Sequence, residues 1–369
     1  MVKALDRWLL PVLRSRLAPR AKTPAFVFVA LCDHFEPLHD TDHAGALARL
    51  DEWIARYPDQ LSGIRDCTGR GWKHTFFYPI EQNHPEILSR LHTLVSAVHG
   101  EVEVHLHHDR DTEENLTRTL HRGIGEFREH GFLGTDRSGA VRYGFIHGNW
   151  ALDDSGLGGR NCGVPNELGV LRRTGCYADF TMPSAPHPTQ VATVNSIYYA
   201  KDTPERCSHN KGIPARTGAA SSLRDKLDHL LCIQGPLLLN WRRRKFGVLP
   251  RIENSDITAV NPPTELRFRL WCEAAVHVQG RPDWIFVKLH THSALPSHSR
   301  MFFGPQFRQF LEYLSALSHD ESSPFRPVFV SAREMANLVA AAEDGQTGGL
   351  AELRDYLVLP PACLQPSVH

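Results

Sequence analysis

The sequence predicts an α/β protein, a distorted parallel (β/α) barrel with long loops over the mouth at the carboxyl ends of its strands. Three observations predict it. Continuous apolar runs, Ala25-Phe-Val-Phe-Val-Ala-Leu31 above all, have the character of strands buried on both faces. Such runs alternate with helix-period segments over roughly 150 residues, as successive βα units do. A length of 369 residues suits one large barrel.

The elements follow in order. Residues 1–24 form a basic leader in which Trp8, Leu9, Leu10, Val12 and Leu13 stand among Arg14, Arg16 and Arg20. Such a helix suits peripheral contact with a membrane, but Pro11 interrupts it, and packing on the protein's own core is the stronger expectation. The barrel is expected over 25–345. Its first strand, 25–31, runs into Cys32-Asp33-His34-Phe35-Glu36-Pro37. A helix over 43–58 carries Leu47, Leu50, Trp53 and Ile54 on one face and stops at Pro58. Strand 75–79 and helix 85–98 follow. In Glu101-Val-Glu-Val-His105, the alternation of Val102 and Val104 with glutamate marks a third strand. A helix over 112–130 leads to Tyr143-Gly-Phe-Ile-His147-Gly-Asn149-Trp150, a strand with a polar exit. A helix at 168–173 ends before Gly175. Residues 184–262, rich in Pro, Ser, Asn and Gly, read as a loop-rich insertion over the mouth. Helix 263–279, strand 283–289, helix 307–317, strand 327–330 and helix 332–342 complete the barrel, leaving 346–369 as a loose C-terminal tail.

Composition narrows the function. Lys plus Arg and Asp plus Glu both number 41, so no global field draws nucleic acid. The basic run Trp241-Arg-Arg-Arg-Lys245 reads as a solvated loop. Gly156, Gly158 and Gly159 lack the spacing of a nucleotide fingerprint. The 8 cysteines contain no CxxC pair, and no secretory signal or run of apolar residues long enough for a membrane span is visible. A cytoplasmic protein with reduced thiols is expected. The 22 histidines favour metal or proton-transfer chemistry.

Histidine and carboxylate gather where strands end. Asp33 with His34, His105 with Asp109, and His290 with His292 leave three different strands, and a parallel barrel turns all such ends toward one mouth. Imidazole and carboxylate suit a divalent metal, zinc first and cobalt, nickel or iron after it. Two imidazoles and a carboxylate leave positions open for water and a substrate oxygen. Asp33 is then placed to deprotonate water and His290 or His292 to protonate a departing amine, which is equipment for hydrolysing an amide or ester. Alternatives stay open. Glu36 could replace His34 as ligand, and His107 stands in reserve should Asp109 only orient a ligand from behind. His108 and Asp111 are expected to support the loop. His147, Asn149 and Trp150 are candidates for lining a sugar site, and Asp179, Thr181 and Ser184 for orienting the base or binding substrate.

The order of these motifs resembles the polysaccharide deacetylase (NodB-homology) family, whose fold is a distorted β/α barrel. The resemblance makes Asp33 the general base, with His34 where the family's second acidic residue, a metal ligand, stands. Thr75-Phe76-Phe77 matches the family's Thr-Phe-Phe strand. His105 matches the first histidine of its His-x-x-x-His pair, with Asp109 at the second, so His and Asp exchange places and preserve a two-His, one-carboxylate set. Leu289-His290 matches the general acid. Thr181-Met-Pro183 matches only part of the family's Arg-x-Pro element, which leaves the base without its arginine. The resemblance covers 25–340 and is weak through 184–262. The strings CDHFEP, EVEVHLHHD, FIHGNW, GCYADFTMPS, KLHTH and SAREM are similar to a subgroup associated with bacterial surface polysaccharides. What is implied is a metal-dependent enzyme removing acetyl from an N- or O-acetylated sugar. The rival expectations are a glycoside hydrolase using Asp33 with Asp179 or Asp256, and a catalytically silent carbohydrate-binding protein.

Overall fold

A computed structural model describes residues 4–15, 25–218 and 221–365. Positions 16–24 of the leader and 366–369 of the tail lie outside the described residues. The fold is α/β, with a mostly parallel, 12-stranded sheet that is barrel-like in layout. Its parallel strands are β1 (Ala25–His34), β2 (His74–Pro79), β3 (Glu101–Leu106), β4 (Val141–His147), β5 (Cys176–Asp179), β6 (His229–Ile233), β7 (Trp284–Thr291) and β8 (Phe325–Phe329). The helices that cover them include α1 (Leu5–Ser15), α2 (His43–Leu61), α3 (Pro85–Val98), α4 (Glu113–Glu129), α5 (Glu167–Arg173), α6 (Glu265–Ala274), α7 (Pro305–His319) and α8 (Ala332–Glu343).

β1 is central because it is apolar on both faces. One edge pairs with β7 throughout, Cys32 opposite His290 and Asp33 opposite Thr291. The other edge is shared, by β8 along 25–29 and by β2 along 31–34. From β2 the sheet continues through β3, β4, β5 and β6, all parallel. Beyond β6 it turns antiparallel, with Ile197–Lys201 and Ile213–Pro214. Alternation sorts the side chains into two layers. Phe28, Ala30 and Cys32 meet Phe77, Ile146, Phe180, Phe286 and Val328 inside the barrel. Val27, Val29 and Leu31 meet Leu50, Trp53, Leu91 and Phe307 beneath the helices.

Several expectations change. The segment 184–262 is not only loop: it supplies β6, the two antiparallel strands and a hairpin, Leu238–Lys245 with Leu249–Glu253, on which the basic run lies. α2 continues through Pro58 to Leu61, a buried residue whose packing offsets the one N–H bond a proline forfeits. α6 closes at Ala274, where Ala275 takes φ +51°. Pro11 lies within α1, and Trp8 and Val12 pack against Ala185, Val194 and Leu237, so this helix joins the protein's own core. Among the described residues no helix is long and apolar enough to cross a membrane. The tail is built in as well: Val358 and Leu359 pair with Asp136 and Thr135, and Arg354 is buried.

Two buried ionisable side chains report on this part of the fold. Arg333 of α8 meets Glu101 of β3, Nη2 to Oε1 2.9 Å, and its Nη1 holds Asp355 and the Val358 carbonyl at 2.7 Å. Arg333→Met leaves Glu101 buried without its counter-charge and is expected to cost about 3–5 kcal/mol in urea unfolding. Further along β3, the Glu103 carboxyl faces the interior and accepts from Tyr177 Oη and Gly144 N, each at 2.5 Å. Burial outweighs these bonds and pushes its pKa up to about 8 from 4.5. Between those values the native chain holds a proton that the unfolded chain has released, so stability falls as pH rises from about 4.5 through about 8. Glu103→Gln is expected to flatten that slope in melting curves recorded from pH 5 to 9, and equal slopes in the two proteins would contradict it.

Candidate functional site

Strand alternation decides which candidates meet. His34 continues the inward series of β1, and Asp33 the outward one. Val102, Val104 and Leu106 of β3 face the helices, so His105 points inward. Phe286 of β7 points inward, and His290 and His292 share its side. The His34 ring centroid lies 4.8 Å from that of His105, 4.5 Å from His292 and 6.5 Å from His290. Three strand ends thus deliver four imidazoles to one mouth.

The carboxylate in this cluster is Glu36. Its Oε1 lies 2.9 Å from His107 Nε2 and 3.4 Å from His105 Nε2, and the donor atoms of the three residues all fall within 4.8 Å of one another. The far nitrogens are committed elsewhere. His105 Nδ1 donates to the Ile146 carbonyl at 2.8 Å, and His107 Nδ1 pairs with Glu81 Oε1 at 2.8 Å. His105 Nε2 is fully buried and faces the Glu36 carboxylate without a close hydrogen bond, and His34 Nε2 is buried and without a hydrogen-bond partner. A ligating histidine needs this arrangement, with one nitrogen anchored behind and the other free in front. Burial pushes the Glu36 carboxyl up, but the His105 and His107 imidazoles outweigh burial and hold it below the usual carboxylate range. Burial lowers His107 as well, yet Glu36 and Glu81 raise it to about 9.

Asp109 does not join them. β3 ends at Leu106, the chain turns, and Asp109 stands half exposed with Oδ1 accepting from Asn161 N at 2.5 Å. The expected exchange of His and Asp is therefore replaced by Glu36, three residues beyond Asp33, with His107 as a close partner.

Asp33 is sealed on the helix side. Its Oδ1 accepts from Ser293 N at 2.9 Å, while Oδ2 accepts from the Ser293 hydroxyl and lies 2.9 Å from His74 Nε2. His74 Nδ1 in turn reaches Tyr57 Oη at 2.9 Å. The carboxylate thus ties β1 to β2 and to the residue after His292, and it does not face the mouth. His74, at the start of β2, links Asp33 to Tyr57.

Beside the imidazoles lies a cavity of ≈ 480 Å³, lined by Trp150, Ser184, His187, Asp256, His290 and His292 among others. The Trp150 ring stands 5.9 Å from His292 and 6.1 Å from His34. Its backbone has φ +54°, as do those of Asn149, Asp153 and Asp154, a conformation that costs a bulky residue about 1–3 kcal/mol. Asn149 itself points to solvent. Burial lowers the His34 and His290 imidazoles well below the usual range, helped by neighbouring cations and imidazoles, and burial lowers His292 too. Neutral rings of this kind can ligate metal or accept a proton.

Three other candidates stand apart. His147 continues the outward series of β4, is fully buried, and turns to Glu167 instead of the cavity. Asp179 and Thr181 bond to each other, Oγ1 to Oδ1 at 2.5 Å, and Thr181 Oγ1 also accepts from His147 N at 2.9 Å. Burial raises Asp179 to about 6. Both residues are sealed, so of the carboxylates considered for a glycosidase pair only Asp256 lines the cavity.

No protein-family profile and no curated protein matches the sequence. Among solved structures, the 4-α-glucanotransferase from Thermococcus litoralis is similar over 82% of this chain and 39% of its own length. The identity is 9% and the TM-score 0.38.

Proposed function

We propose that this protein is a metal-dependent hydrolase that removes an acetyl group from an N-acetylated, or alternatively O-acetylated, sugar in surface-polysaccharide metabolism. One observation carries the proposal: His105 Nε2 is buried and turned to the Glu36 carboxylate, with Nδ1 anchored on Ile146 and a second anchored imidazole, His107, on the same carboxylate. Glu36, His105 and His107 would hold the metal, with His34 at their side. When bound, a divalent ion there supplies Lewis-acid polarisation of a carbonyl and acidification of water.

The chain's own residues do the rest. His292, partly exposed in the cavity and neutral, takes a proton from water and returns it to the departing amine. Asp33 positions that histidine through Ser293. Trp150 offers a ring face for an apolar sugar face, and ≈ 480 Å³ accommodates a sugar-sized group. The resemblance to polysaccharide deacetylases and the weak candidacy of a flanking carboxylate pair support amide over glycosidic chemistry.

The test is a panel of N- and O-acetylated saccharides, with acetate and reducing ends both assayed, before and after chelation and zinc restoration. Acetate release abolished by chelation is expected. New reducing ends without acetate would select the glycosidase reading. Trp150→Ala is expected to raise KM about tenfold with little change in kcat, a loss of roughly 1.4 kcal/mol of stacking.

A further inference from the structure

A second group of metal-ligating side chains lies at the ends of β3 and β4, on the outer side of β4 and unused by the proposed hydrolysis. It comprises His108, His147, Cys162 and Glu167. His108 Nε2 is 3.1 Å and His147 Nε2 3.5 Å from Glu167 Oε1, and Cys162 Sγ is 3.5 Å from Glu167 Oε2. Four ligands at about 2.0–2.3 Å around a tetrahedral zinc stand roughly 3.3–3.6 Å apart; the three contacts to Glu167 are close to that spacing, and all four donors lie within 4.8 Å of one another. His147, Cys162 and Glu167 are fully buried, and only 7% of the His108 side chain is exposed.

The donors are also held from behind. His147 Nδ1 is bonded to the Gly148 carbonyl, which leaves Nε2 as a lone pair aimed into the group, buried and without a hydrogen-bond partner. His108 Nδ1 stands 3.2 Å from Asp111 Oδ2, in ion-pair range but without hydrogen-bond geometry, and Asp111 is itself fixed by Thr112 N and Asn115 Nδ2. Glu167 Oε2 accepts from Asp153 N at 2.6 Å. Histidine ligands of structural zinc are oriented by just such outer oxygens. The set is also closed: four protein donors and no exposed face leave no position for substrate, the mark of a structural site.

We propose that His108, His147, Cys162 and Glu167 bind a structural zinc ion. The ion crosslinks the end of β3, the end of β4, the start of α5 and the segment 148–164 that presents Trp150 to the cavity. That segment carries the left-handed residues Asn149, Trp150, Asp153 and Asp154, and Cys162 secures its far end. The proposal stands independently of the deacetylase reading, since its test involves no turnover.

Full-length protein carrying His105→Ala is loaded with cobalt(II), dialysed, and examined for thiolate-to-cobalt charge-transfer absorption. The band is expected at about one ion per chain and is lost in the His105→Ala, Cys162→Ser double variant. No band in the folded protein, or a band that survives Cys162→Ser, overturns the site. Should the Cys162 variant fail to fold, zinc X-ray absorption on the His105→Ala protein decides. A sulfur ligand at about 2.3 Å is expected, and a shell of nitrogen and oxygen alone overturns the proposal.

Discussion

Replacing His292 with glutamine is expected to slow acetate release by about 10²–10⁴-fold, the usual worth of a positioned proton carrier, with metal content unchanged. His292 occupies the cavity wall, stacks near His34, and is kept neutral mainly by burial. Glutamine keeps the polarity and much of the volume but cannot titrate, so the loss falls on kcat. Asp33→Asn provides the contrast. Asparagine Oδ1 can still accept from Ser293 N. His74 can answer the new amide by moving its proton to Nδ1 and donating to Tyr57 Oη. Roughly 1–3 kcal/mol of stability is expected to be lost through the weakened network, with a smaller fall in kcat than for His292→Gln. If instead Asp33→Asn removes as much kcat as His292→Gln and abolishes the acidic limb of the pH–rate profile, Asp33 is itself the base.

Glu36→Gln is expected to weaken zinc binding at the mouth by more than about 100-fold, beyond the 10–100-fold typical of losing a mere supporting contact. The amide oxygen is a poor substitute for a carboxylate held ionised by two imidazoles. Asp109→Ala is expected to leave the affinity unchanged, because that carboxylate meets Asn161 N and Arg110 at the surface, away from the imidazoles. Competition titration against a chromogenic chelator reads both. The reverse pattern would restore Asp109 as the ligand and remove Glu36 from the site.

What the sequence made legible follows physical scale. β1, β2, β3, β4 and β7 stood out because each is apolar or cleanly alternating, and all but β2 open straight into a polar exit. Strand parity then brought His34, His105, His290 and His292 together, as their spacing along those strands implied. β6, a five-residue run within 184–262, was masked by surrounding Pro and Gly, and the tail strand Val358–Leu359 depends on a partner more than 200 residues away. The choice of Glu36 over Asp109 depends on loop paths after β1 and β3, which residue type cannot reveal. His74, the first residue of β2, lies just outside the run 75–79 read from the sequence and carried no signal of its link to Asp33. Cys162 and Glu167 lacked a recognisable spacing because their histidine partners come from two other strand ends.

The most direct test of the central claim is an anomalous difference map at the zinc edge from crystals of zinc-loaded protein. A peak at about 2.0–2.2 Å from both His105 Nε2 and Glu36 Oε1 is the predicted result. A map with no peak in bonding range of His105, whatever is found beside Cys162, would contradict the account.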